Sequence, residues 1–156
     1  MRVERLERQH IFDFLRPDEV NALSNVAQVV KVRAGEEIYR EGDRAQYFYV
    51  VLSGEVALRL PGRQGLSVLI DQVTEGAMFG ACASLTLDFY RCSAQCTNDS
   101  ELLKIRTDAL KRLLDDDPRM GYAIQSRVSE IYFKRYMETM KKLQAIVMNI
   151  PIEAES

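Results

Sequence analysis

Apolar positions change their spacing twice along the chain. In residues 1–27, Leu6, Ile11, Phe12 and Leu15 fall at helix-compatible intervals, and Pro17 opens a second, shorter helix. Asp18 and Glu19 occupy its first turn, where free amides and the helix dipole favour negative charge. Val20, Leu23 and either Val26 or Ala27 form its apolar stripe. Residues 28–106 carry short β-branched, aromatic and aliphatic runs, including Val29, Val30, Ile38, Phe48, Val50, Val56, Leu58, Val68 and Ile70. Gly35, Gly42, Gly54, Gly62, Gly65, Gly76 and Gly80 cut these runs at turn-like intervals, which predicts a sandwich or barrel of strands. Alternation places Val56, Leu58 and Leu60 on one face, and Pro61-Gly62-Arg63-Gln64-Gly65 reads as a hairpin tip.

From residue 107 the helical period returns. Thr107 is the expected N-cap, followed by Leu110, Leu113 and Leu114. Asp115, Asp116 and Asp117 precede Pro118 and end that helix, because a residue before proline avoids the α region. A long helix is expected from about Pro118 to Asn149, with Ile124, Val128, Ile131, Phe133, Met137, Met140, Leu143 and Val147 apolar. About thirty helical residues extend ~45 Å, more than a domain of this size needs. Glu130 with Lys134, and Glu138 with Lys142, are well-oriented pairs on its polar side.

Composition narrows the function. At 156 residues, 47% hydrophobic and 28% charged, the chain suits one folded domain with a substantial core. Its net charge of −2 argues against a general nucleic-acid coat, which needs clustered Lys and Arg. No apolar run approaches the ~18 residues of a membrane span, and the charged start Met1-Arg2-Val3-Glu4-Arg5 lacks a signal-peptide core. Three cysteines make a disulfide framework a poor expectation and point to a reducing, cytoplasmic setting. His10 is the single histidine, so a multi-histidine metal centre is not expected, and a triad would have to recruit this one residue.

The stretch Val32-Arg33-Ala34-Gly35-Glu36-Glu37-Ile38-Tyr39-Arg40-Glu41-Gly42-Asp43 resembles the cyclic nucleotide-binding domain. So do Phe48-Tyr49-Val50-Val51-Leu52-Ser53-Gly54-Glu55-Val56 and Gly76-Ala77-Met78-Phe79-Gly80. That family includes the bacterial catabolite-activator regulators and the regulatory subunits of cyclic-AMP-dependent kinase. The resemblance implies a mainly β fold, a β jelly-roll barrel flanked by N-terminal helices and a long C-terminal helix. The implied division is a cyclic nucleotide-binding-like domain over 1–135 and a helix extension with a short tail over 136–156. The chain looks like a stand-alone, bacterial-like member with a degenerate phosphate-binding motif.

In the family, Phe-Gly-Glu-x-Ala-Leu opens a short helix whose amides cradle the cyclic phosphate. The glutamate holds the ribose 2′-hydroxyl, and an arginine about ten residues later pairs with the phosphate. Here the motif reads Phe79-Gly80-Ala81-Cys82-Ala83-Ser84-Leu85, with Ala81 in the glutamate's place. Two registers are open for the arginine. Counting from Gly80, Arg91 takes its position; counting back from Asp99-Ser100-Glu101-Leu102-Leu103, Tyr90 does, and Cys92 and Cys96 replace two family alanines. A one-residue slip in a strand reverses which face the side chain meets. Each lost charged hydrogen bond removes about 1.5–3 kcal/mol, so binding of cyclic AMP or cyclic GMP is expected to be weak or absent.

The resemblance therefore implies ligand-binding positions Phe79, Gly80, Ala81, Cys82, Ala83, Arg91, Cys92 and Ser93, with no catalytic residue, metal or cofactor. Cys82, Cys92 and Cys96 are open to two readings: a cluster near the pocket, where a cysteine at a helix start has a lowered thiol pKa and senses oxidants, or small buried residues in place of alanines. At the end of the long helix only Asn149 to Ser156 remain, so no DNA reader is expected in the chain. The expected function is a regulatory sensor: a small anion binds at residues 80–83 and shifts the long helix. The alternative is a degenerate domain that binds no cyclic nucleotide and serves as a dimerisation or protein-docking scaffold. A homodimer through Phe133, Met137, Met140 and Val147 suits either reading, though Arg135 and Glu138 interrupt a strict heptad. Tyr132 and Tyr136 either cap a base or pack on the barrel.

Overall fold

A computed structural model of the chain describes residues 12–80 and 89–148. The expected first helix lies largely outside those residues, as do Ala81, Cys82 and Ala83. Helix α1 is Pro17–Ser24. Proline opens it at no cost because the first amide of a helix has no intrahelical acceptor. The backbone N–H of Arg16 donates to Glu19 Oε1 at 2.9 Å and closes the first turn. Val20 and Leu23 are buried as expected, but Ala27 starts a strand instead of extending the stripe.

Among the described residues eight strands follow: β1 Ala27–Val32, β2 Glu37–Tyr39, β3 Tyr47–Ser53, β4 Val56–Pro61, β5 Ser67–Val73, β6 Met78–Phe79, β7 Ser93–Cys96 and β8 Ser100–Arg106. They form two four-stranded antiparallel sheets, ordered β1-β8-β3-β6 and β2-β7-β4-β5. A single turn of 3-10 helix, Arg63–Gly65, makes the β4–β5 hairpin tip. Leu60, near that tip, is exposed although Val56 and Leu58 on the same strand are buried. Gly54 turns the chain between β3 and β4 with φ +96°. A side chain there would fall 2.7 Å from the Asp99 carbonyl oxygen, so only glycine fits.

Helix α2, Thr107–Asp116, follows β8, with Arg106 rather than Thr107 at the N-cap position. Helix α3, Pro118–Met148, runs unbroken to the end of the described residues. Among the described residues no helix is long and apolar enough to cross a membrane.

The first sheet is covered on both faces, which explains the nearly continuous apolar run of β3. Phe48, Val50, Leu52, Leu103 and Ile105 pack against the helices with Phe12, Leu23, Leu110 and Ile124. Tyr49, Val51 and Leu102 face the second sheet and meet Tyr39, Val56, Leu58, Val73 and Ala94. A register shift in the β4–β5 pair leaves Ile70 without a partner, since Leu58 pairs with Asp71 and Arg59 with Leu69. Such a bulge turns adjacent side chains toward one side, and it places Asp71 beside Ile70 at the cavity described next.

Candidate functional site

A cavity of about 460 Å³ opens between the second sheet and the C-terminal half of α3. Its inner wall begins with Tyr39 and Tyr90. Strand β2 pairs with β7, and Gly42 N–H donates to the Tyr90 carbonyl at 2.9 Å, so the two tyrosines are brought face to face. Their rings stack at 3.6 Å with planes 9° apart. The Tyr90 hydroxyl donates to the Tyr47 carbonyl at 2.5 Å and accepts from the Tyr47 N–H at 3.3 Å. Burial pushes the Tyr90 hydroxyl pKa up to about 12, and raises those of Tyr39 and Tyr49 further.

Strand alternation decides what else reaches this wall. Ala94 and Cys96 are buried, Cys92 is half-buried on the same side, and Tyr90 continues that inward series. Arg91 has the opposite parity and is exposed, though it still contributes to the cavity mouth. Cys92 faces the cavity. Burial raises its thiol pKa against a smaller lowering by Arg135, which keeps it a protonated thiol near neutral pH. Burial likewise raises the pKa of the Cys96 thiol.

The remaining expected ligand positions fall in different places. Gly80 lines the cavity with φ +82°, and a side chain there would press within 3.3 Å of the Tyr49 ring and 3.4 Å of Tyr39. Phe79 is wholly buried in the core, stacked on Tyr49 at 5.0 Å, and is not part of the cavity lining. Ser93 also lies off the lining, where its hydroxyl accepts the Glu41 N–H at 3.2 Å. Cys92 and Arg91 do reach the cavity.

The opposite wall comes from α3, which presents Tyr132, Arg135, Tyr136 and Thr139 at helical spacing. Arg135 Nε lies 3.0 Å from Asp71 Oδ2, and its Nη2 donates to the Met78 carbonyl oxygen. The guanidinium carbon sits 5.8 Å from the centre of the Tyr132 ring. Arg135 and Asp71 are cavity-lining residues whose pairing sequence reasoning missed. The signals were present: a cation interrupting the apolar heptad of the helix, and a carboxylate inside the otherwise strand-forming run of β5.

Residues 29–117 match the family model described as cyclic nucleotide-binding domain. The cAMP-dependent protein kinase regulatory subunit of Emericella nidulans is 28% identical over 109 residues, which is 70% of this chain and 26% of that protein. The mouse patatin-like phospholipase domain-containing protein 7 is 32% identical over 81 residues, 52% of this chain and 6% of that protein. The chain thus spans about a quarter or less of these relatives' length. A crystal structure of a putative cyclic nucleotide-binding protein from Geobacter metallireducens shares the fold, with a TM-score of 0.77 and 21% identity. That superposition covers 87% of this chain and 98% of the other.

Proposed function

The chain belongs to the cyclic nucleotide-binding domain family of regulatory, signal-transducing modules, and we propose that it is a small-molecule sensor. In this reading an anionic ligand enters the cavity, meets the chain at residues 80–83 and Arg91, and is sensed by α3. One observation carries the proposal: α3 forms a wall of the cavity, so an occupant must touch the helix as well as the sheet. A ligand that interacts differently with two helix positions shifts their populations by that difference. Ala81 supplies no carboxylate for a ribose, and Arg91 is exposed at the mouth, so cyclic AMP and cyclic GMP should bind weakly or not at all.

Titration calorimetry with cyclic AMP, cyclic GMP and other anions tests the reading. Saturable heat with at least one anion, weakened by Arg91→Ala, is the expected result. No heat from any of them at millimolar concentration would sink the sensor.

A second reading is supported by the surface of α3. Every residue in 136–148 is exposed, including Met137, Met140, Leu143, Ile146 and Val147. An apolar helix surface of this kind suits a homodimer or a docking scaffold, with or without a ligand.

A further inference from the structure

The cation best placed inside the cavity comes from the helix, not from the strand that carries Arg91. Arg135 is the last residue of α3 that is not exposed; its side chain retains 19% exposure and that of Asp71 25%. Between them lies a partly dehydrated ion pair, with the Met78 carbonyl as a further acceptor. A guanidinium is a fixed fork of N–H donors, so it can accept one carboxylate in exchange for another without changing shape. Asp71 therefore stands where an incoming carboxylate would bind, brought there by the bulge at Ile70.

The rest of the wall selects the body of such a ligand. Tyr39, Tyr90, Leu58 and Ile70 present rings and aliphatic carbon. The Tyr90 hydroxyl is engaged by the Tyr47 backbone. Around the cavity, among the described residues, Arg91, Arg135 and Lys142 outnumber Asp71 and Glu138, so a single negative charge completes neutrality. A largely apolar inner wall met by a few convergent polar and charged groups is the usual make-up of a small-ligand site.

We propose that the cavity takes a small aromatic carboxylate, which displaces Asp71 from Arg135 while its ring lies against the tyrosine-lined wall. This rests on the sensor reading above and names its ligand class. It also identifies the moving part: Arg135 ties α3 to β5 and β6, and a ligand that captures the guanidinium loosens that tie.

Calorimetry of the full chain with 2-naphthoate and its neutral analogue 2-naphthamide tests the assignment, with cyclic AMP and cyclic GMP run alongside. Naphthoate should bind saturably and the amide at least tenfold more weakly, about 1.4 kcal/mol. Arg135→Gln should weaken naphthoate at least tenfold. Asp71→Asn should tighten it several-fold, because the internal competitor is gone. Circular dichroism melts report whether each variant folds. Should Arg135→Gln fail to fold, the acid–amide comparison and Asp71→Asn decide alone. Equal binding of acid and amide, weaker binding in Asp71→Asn, or no naphthoate binding overturns the assignment. If a cyclic nucleotide then binds and depends on Arg91, the sensor reading stands without it; if nothing binds, both fall.

Discussion

Tyr90 fixes the inner wall of the cavity by packing and hydrogen bonding. The consequence is a pH dependence with a definite sign. A phenol ordinarily ionises near pH 10. Burial holds Tyr90 protonated until about pH 12, and Tyr39 and Tyr49 to higher pH still. Between about pH 10 and 12 the unfolded chain loses these protons and the folded chain keeps them. Stability from this source is thus complete below pH 10 and declines as pH rises toward 12. Thermal melts across that range, with tyrosinate absorbance followed in parallel, should show falling melting temperature before the buried phenols ionise. Tyr90→Phe should flatten the fall and cost about 1 kcal/mol at neutral pH through the lost bond to the Tyr47 carbonyl. An unchanged alkaline slope in that variant would refute the account. The face that Tyr90 and Arg91 present was not legible in the sequence. Side chains alternate with period two, so one residue of uncertainty before β7 exchanges them. The buried pair Ala94 and Cys96 fixes the parity once the strand is placed.

At the scale of elements, glycines and apolar periods revealed most boundaries. The seven-residue β3, the turn at Gly54, the hairpin tip and the start of α3 at Pro118 all follow from residue chemistry that acts locally. The bulge at Ile70 was not legible, because it depends on which residue of β4 pairs with Asp71, a non-local choice. That one irregularity aims Asp71 at Arg135. Helix α3 poses a different problem. Every residue of 136–148 is exposed, and an isolated helix of about this length is marginal in water. Phe133, Met137 and Met140 are 65%, 43% and 44% exposed, at spacings that make one stripe. The proposed homodimer covers this stripe. Light scattering should give the mass of two chains, and Met137→Lys with Met140→Lys should give one, with strand content by circular dichroism unchanged. A chain shortened to end near residue 135 that remained dimeric would move the interface elsewhere.

Across the whole molecule, the two ends of α3 have separate attachments. Met120, Ile124 and Val128 are buried in the helical layer, against Phe48 and Leu103 of the first sheet. Arg119 there donates to Glu19 Oε1 at 3.1 Å, and so joins α3 to α1. The Glu19 side chain is 1% exposed and that of Arg119 48%, so the carboxylate depends on its partners more than the guanidinium does. Removing a partner of a buried charge is destabilising, whereas freeing a half-exposed cation is mild. Arg119→Met should therefore cost about 1–2 kcal/mol, because Arg16 still serves the carboxylate. For a chain of this size that lowers the melting temperature by roughly 2–4 °C per kcal/mol. Arg135 lies sixteen residues further along the helix, about 24 Å away, with partners in the second sheet and β6. Distant groups without shared partners act additively. Arg119→Met should thus lower the melting temperature and leave ligand affinity in the cavity unchanged, and Arg135→Gln should change affinity in its presence by the same factor as alone. Non-additive affinities in the double variant would mean that α3 moves as one rigid body from Pro118 onward, so that a ligand at Arg135 also strains the contact at Glu19. Additive affinities would confine the response to the half of the helix beyond Val128, which is the half that carries the exposed stripe.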